Sequence, residues 1–185
     1  MNDGRLQVSG QVAVMLINEQ LLQTLMDKNP GTSFALEESF PLKSTYADAT
    51  TLGPIMELRS TDSQTALTPE RASQALASLS GAAQDLLADP DTPVDSNARN
   101  TYAKLLLSQA NLFLDRNYSS QAEDALRLAT QLAPASPEAV YNYAGLLAKE
   151  NRFAEASQLV QSALTLAPEN QGFQSLLQQL NQRNH

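Results

Sequence analysis

Apolar positions recur at helical spacing over residues 8–28, where Val12, Met15, Leu16, Leu22 and Met26 form one stripe. Val14, Ile17, Leu21 and Leu25 widen that stripe to most of the circumference, so the helix asks for cover on more than one side. Ser9 stands where a cap is needed, and Asn29, Pro30 and Gly31 end the element. Residues 33–39 then read as a strand with Phe34 and Leu36 on one face, stopped by Pro41. Residues 43–49 read as a turn or helical stub. Residues 54–59 read as a second strand, with Ile55, Met56 and Leu58 apolar and Glu57 facing out. A polar linker follows over 60–67. Thr68, Pro69 and Glu70 then signal a helix start, and Ala72, Ala75, Leu76, Leu79, Ala83, Leu86 and Leu87 follow at helical spacing, mildly broken by Gly81. Pro90 and Pro93 mark a loop, and Ser96 caps the next helix.

From residue 103 the pattern repeats itself at one constant offset. Ala110 recurs as Ala144, Leu112 as Leu146, Asn117 as Asn151, Ala122 as Ala156, Ala129 as Ala163, Leu132 as Leu166 and Pro134 as Pro168. In the second copy a first helix is predicted over 137–150 and a second over 153–167. Ala144 and Ala156 let the two backbones approach, Ala163 sits where the next element must pack, and Leu147, Phe153, Val160, Leu164 and Leu166 fill the space around them. The first copy reads alike with Phe113, Leu126, Leu128 and Leu132. Each unit ends at a proline, which lacks the N–H and clashes with the preceding turn. The helix after Thr68 is not a third copy, because one more step back by the same offset places Thr92, Asp95 and Asn100 in slots that need apolar, small or proline residues. It reads as an N-terminal capping helix. Residues 171–183 make one more helix, with Leu176, Leu177 and Leu180 inward and Gln178, Gln179, Asn181, Gln182 and Arg183 toward water, as the end of a solenoid requires.

This period and these small-residue slots resemble the tetratricopeptide repeat family, over residues 103–170. Two slots depart from the usual pattern: Ala110 and Ala144 replace a glycine, and Leu106 and Val140 replace an aromatic residue. The expected fold is mainly α: a short tetratricopeptide-type superhelix with capping helices, preceded by a small helix–strand–strand α/β segment. The expected organisation is an α/β segment at 1–60, a linker and capping helix at 61–102, and two repeats (103–136 and 137–170) plus a C-terminal capping helix at 103–185.

The run Asn29-Pro30, Phe34, Glu37 through Leu42, Tyr46, Gly53 and Ile55-Met56 is similar to the soluble C-terminal region of large bacterial multi-pass membrane proteins. Those proteins look like glycosyltransferases acting on lipid-linked sugars and carry tetratricopeptide-like helices after such a segment. The sequence departs from them at Lys43-Ser44-Thr45 and at Ala47. This resemblance covers roughly residues 5–60. It implies a soluble portion of a larger protein, with any catalytic part outside this sequence.

Composition narrows the function classes. A formal net charge of −8 argues against a phosphate-backbone partner, which needs clustered Lys and Arg. The absence of cysteine excludes disulfides, thiol nucleophiles and thiolate metal sites. No apolar run approaches the ~18–20 residues that span a bilayer, and the first residues lack a signal peptide's apolar region. The chain therefore reads as soluble: cytoplasmic, or extracytoplasmic if it is the tail of a multi-pass membrane protein.

No constellation for chemistry emerges. The only histidine is His185, the last residue, so nucleophile–base pairs cannot be built. No phosphate loop or metal-ligand spacing is present, and no cofactor is expected. Glu37 and Glu38 are neighbours on a predicted strand and point to opposite faces. They read as one solvated and one turn-capping carboxylate; the alternative takes Glu38, Ser39 and Tyr46 as a polar cluster inherited from a ligand site.

The family resemblance places partner binding on the concave face lined by each repeat's first helix. Lys104, Leu107, Asn111, Leu114 and Asp115 occupy it in the first copy, and Glu138, Tyr141, Asn142, Gly145, Ala148 and Lys149 in the second. The candidate site is Lys104, Leu107, Asn111, Tyr141, Asn142 and Lys149. Asn111 has Leu107 and Asp115 beside it rather than Lys and Arg, which disfavours a clamp for a partner's C-terminal carboxylate. An alternative has this face packed against the N-terminal segment. The expected function is a non-catalytic protein-interaction scaffold for a protein or peptide of low charge. The alternative is a soluble accessory domain of a membrane glycosyltransferase-like protein, and a homodimer through the N-terminal segment is a further possibility.

Overall fold

The computed structural model describes residues 11–36, 48–58 and 66–183. Ser9, the stretches 37–47 and 59–65, and His185 lie outside the described residues. So do Glu37, the Glu38, Ser39 and Tyr46 cluster and most of the linker.

The elements follow the order α1 (Gln11–Lys28), β1 (Ala35–Leu36), β2 (Thr50–Leu52), β3 (Ile55–Glu57), α2 (Pro69–Ala88), α3 (Asn97–Asp115), α4 (Ser119–Leu132), α5 (Pro137–Lys149), α6 (Phe153–Leu166) and α7 (Gln171–Arg183). Start signals in the sequence act as they read. The Thr68 hydroxyl accepts from the Arg71 N–H at 3.3 Å, Ser96 accepts from Arg99 at 3.3 Å, and Ser136 accepts from Ala139 at 3.4 Å.

The first helix of each repeat ends in the same way. Asn117 and Asn151 take left-handed backbone at φ 61° and 62°. The next residue's N–H then turns back to the helix: Tyr118 donates to Phe113 O and Arg152 to Leu147 O, both at 2.8 Å. This is the Schellman arrangement, and asparagine is one of the few side chains that tolerate its left-handed position.

The α/β segment carries three strands rather than the two predicted. Strand order is β1-β3-β2, antiparallel throughout, with Leu36 opposite Met56 and Thr51 opposite Met56 on the other side. Residues 50–52, which lie between the stub predicted at 43–49 and the strand predicted at 54–59, supply β2, and a two-residue turn, Gly53-Pro54, joins it to β3. Gly53 sits at φ 57°, which costs glycine nothing. Glu57 does not face out freely: it is half-buried, and the Ser33 hydroxyl donates to its carboxylate.

The sheet leans on the helices. Ala49, Met56 and Leu58 are buried in one core with residues of α2, α3 and α4. Leu67, expected in a polar linker, joins that core, and its carbonyl accepts from the Tyr118 hydroxyl at 3.1 Å. A second core is built from Val140, Ala144 and Leu147 of α5, Ala156, Val160 and Ala163 of α6, and Phe173 and Leu180 of α7.

Helix α1 packs only one side. Met26 is buried and Leu22 touches the core, but Val14, Leu16, Ile17, Leu21 and Leu25 are 43–57% exposed. Leu16, predicted on the inward stripe, is thus outside it. Leu166 also departs from expectation at 58% exposed, whereas its equivalent Leu132 is fully buried. Leu132 shares its core with Ala139 and Leu146 of α5.

Candidate partner-binding site

Helix α3 presents three faces, set by 100° of rotation per residue. Leu106, Ala110 and Phe113 are buried in the core that α4 also enters through Ala122, Leu126 and Ala129. Leu105, Gln109, Leu112 and Arg116 form a second face that meets the sheet. The Gln109 side-chain amide donates to Pro54 O and Ile55 O at 3.3 and 3.0 Å, and the Arg116 guanidinium donates to Ala49 O at 3.1 Å. Lys104, Leu107 and Asn111 lie on the third face, roughly a third of a turn or more away. Among the described residues, the N-terminal segment rests on α3 through Gln109 and Arg116.

One repeat later, the face equivalent to the sheet-bearing one is Ala139, Tyr143, Leu146 and Glu150. It turns to α4: the Tyr143 hydroxyl donates to Glu123 at 3.4 Å, and Ala139 and Leu146 join the α4 core. The sheet together with α2 stands where a preceding repeat would stand.

The six candidate residues divide between two packed helices, α3 and α5. Lys104 and Lys149 are exposed, and Asn111 and Asn142 are half-buried. Leu107 is only 2% exposed. It is buried rather than open surface, which corrects its expected place on an open face. Tyr141 is 39% exposed and held in position. Its ring meets Phe173 of α7 edge-on, with centroids 5.6 Å apart and planes at 62°. Its hydroxyl lies against Gly172, so a larger residue at 172 would make the Tyr141 ring shift. Beside Tyr141, Gly145 is exposed with open space above it.

Charge gathers on a different part of the surface. Arg152, at the start of α6, pairs with Glu123 of α4 at 2.7 Å, Glu150 at 3.0 Å and Glu155 at 2.8 Å. These bonds, led by the one to Glu155, push the guanidinium pKa up. Arg152 in turn holds the Glu155 carboxyl below the usual range. Burial, then the Glu123 charge, pushes Tyr143 up. The network ties the two repeats together and leaves the candidate face without a cluster of one sign.

Reading from sequence missed that α7 stands in the place of a third repeat's first helix. Gln171 follows Pro137 by one full period, and Phe173 and Leu180 stand at the positions of Ala139 and Leu146. Extending the period past residue 170 finds this.

No helix among the described residues is long and apolar enough to cross a membrane. No curated protein and no solved structure matches the chain, so the resemblance of residues 5–60 to glycosyltransferase-like proteins gains no support. A protein-family model does match, over α4 to α7: residues 119–180 are a tetratricopeptide repeat segment.

Proposed function

We propose that this chain is a protein-interaction module without chemistry of its own. It takes an extended or helical segment of low charge on the face shared by α3 and α5. Tetratricopeptide repeats are a scaffold for binding proteins and peptides, and the matched segment supports that general reading. The observation that carries the placement is Tyr141. It is an exposed aromatic on the groove-lining side of α5, braced by Phe173, and therefore orders little on binding. The other candidate positions on α3 and α5 are two lysines, two half-buried asparagines and the buried Leu107, so no charge of one sign gathers there. Recognition then rests on packing and amide hydrogen bonds rather than on charge.

The test is a pull-down with the parent chain, Asn142→Ala and the Tyr141→Ala/Asn142→Ala pair, with melting curves to show that the fold survives. A partner retained by the parent is lost from the pair, and its capture changes little between low and physiological salt. A partner that survives both substitutions, or whose capture collapses with salt, refutes the placement.

A further inference from the structure

In the second repeat, Val140, Ala144 and Leu147 are the positions through which α5 packs on α6, sharing a core with Ala156, Val160 and Ala163. Their equivalents on α7, one period later, are Gln174, Gln178 and Asn181. Among the described residues no helix covers them. With Leu164, Leu177 and Gln182 they line an open groove of about 540 Å³. The groove is the seat that a repeat's second helix fills, left open beside α7.

The chemistry of this seat points to its occupant. A solenoid end needs only polarity, which charged residues also supply. Here the exposed lining is mostly apolar and carries no charge, in a chain of net charge −8; of its four side-chain amides, that of Gln174 already donates to Pro168 O. An amide offers donors and an acceptor together, so it is complementary to another of its kind. A second copy can therefore meet this wall without the like-charge repulsion that the rest of an acidic surface would bring. Geometry agrees. The two helices of a repeat run antiparallel, and a two-fold axis across the groove lays a second α7 antiparallel on the first. Each α7 is 13 residues long, about 20 Å. That pairing brings Arg183, in the last turn of α7, near the partner's Glu169, just before its α7, and does so at both ends. Arg183 and Glu169 are both exposed.

We infer that α7 and the groove beside it form a two-fold contact with a second copy of this chain, each α7 taking the helix seat of the other. The contact lies on the far side of α7 from Tyr141 and is independent of the partner face.

Sedimentation from about 1 to 200 µM brackets the affinity of a contact this small. The weight-average mass rises across that range from the 20.0 kDa of one chain toward twice that value. Gln178 is exposed, so Gln178→Glu and Gln178→Arg keep the fold, as circular dichroism checks. Each alone weakens association tenfold or more by facing its own charge across the axis. Mixing the two variants restores it, which a merely structural role of Gln178 does not give. A chain that stays monomeric throughout overturns the inference. So does a dimer indifferent to both charges, which would assign association to another surface such as the exposed stripe of α1.

Discussion

Ala156→Leu tests the repeat register at its tightest point. Ala156 is fully buried on α6, in one core with Val140 and Ala144 of α5. The site has no room for a larger side chain unless the helix pair opens. Overpacking of this kind costs roughly 1–3 kcal/mol. For a chain of this size each kcal/mol moves the melting midpoint by about 2–4 °C, so the expected drop is about 2–12 °C. Ala122→Leu, at the same place one repeat earlier, should lose a similar amount, because Ala122 is equally buried. Ala154→Leu is the control: Ala154 lies two residues away on the same helix and is exposed. The propensity change is the same and the packing cost is absent, so its midpoint moves by less than about 2 °C. Thermal unfolding followed at 222 nm reads all three. Unchanged melting of the two buried variants, or an equal loss in Ala154→Leu, refutes the argument from small residues at fixed slots.

Asn151→Ala forces a Cβ without a helpful side chain into left-handed backbone and should cost about 1 kcal/mol, while Asn151→Gly should not; equal losses in denaturant unfolding would show that the turn does not depend on φ. Leu21→Gln with Leu25→Gln removes exposed apolar surface from α1, so stability should hold within about 0.5 kcal/mol per site and binding of a hydrophobic dye should fall; a large loss of stability would mean that the stripe is covered. Glu155 has a folded pKa below its ordinary 4.5, so its contribution is present above that value and is lost as pH falls through the lowered one. The midpoint gap between Glu155→Gln and the parent should therefore be wider near neutrality than near about pH 3, and a gap that widens in acid would refute the pairing with Arg152.

The repeats were legible because their physics is local and periodic. Small residues at helix crossings and asparagines at the left-handed turns each recur at one period, and hydroxyl caps act within a few residues of themselves. Where the sequence misled, the deciding contact was long-range. β2 is three residues long and exists because β3 pairs with it; the turn chemistry of Gly53-Pro54 between two short runs was its only local trace. Leu67 looks like linker and is buried because the first core reaches it. Leu166 repeats Leu132 in sequence, yet Leu132 is buried and Leu166 exposed. Leu107 reads as open surface by spacing, and only packing shows it to be buried.

The ends of the helical array explain the remaining differences between equivalent positions. Position for position, Gln109, Tyr143 and Leu177 occupy one slot in three successive first helices. In the middle, the slot meets a helix whose backbone groups are already paired, so a ring with one hydroxyl reaching Glu123 suffices. At the N-terminal end it meets a β-hairpin turn, whose carbonyls need donors when buried. Gln109 is fully buried there, and its amide serves both Pro54 and Ile55, while Arg116 two turns on serves Ala49. Sheet and helix are joined by side chains that would be misplaced in a plain repeat. At the other end the slot is Leu177, and the polar groups move to Gln174, Gln178 and Asn181, where the preceding repeat has Val140, Ala144 and Leu147. The same repeat position is thus amide, aromatic or apolar, and the amide stands where the described structure puts the sheet, not a helix, opposite it.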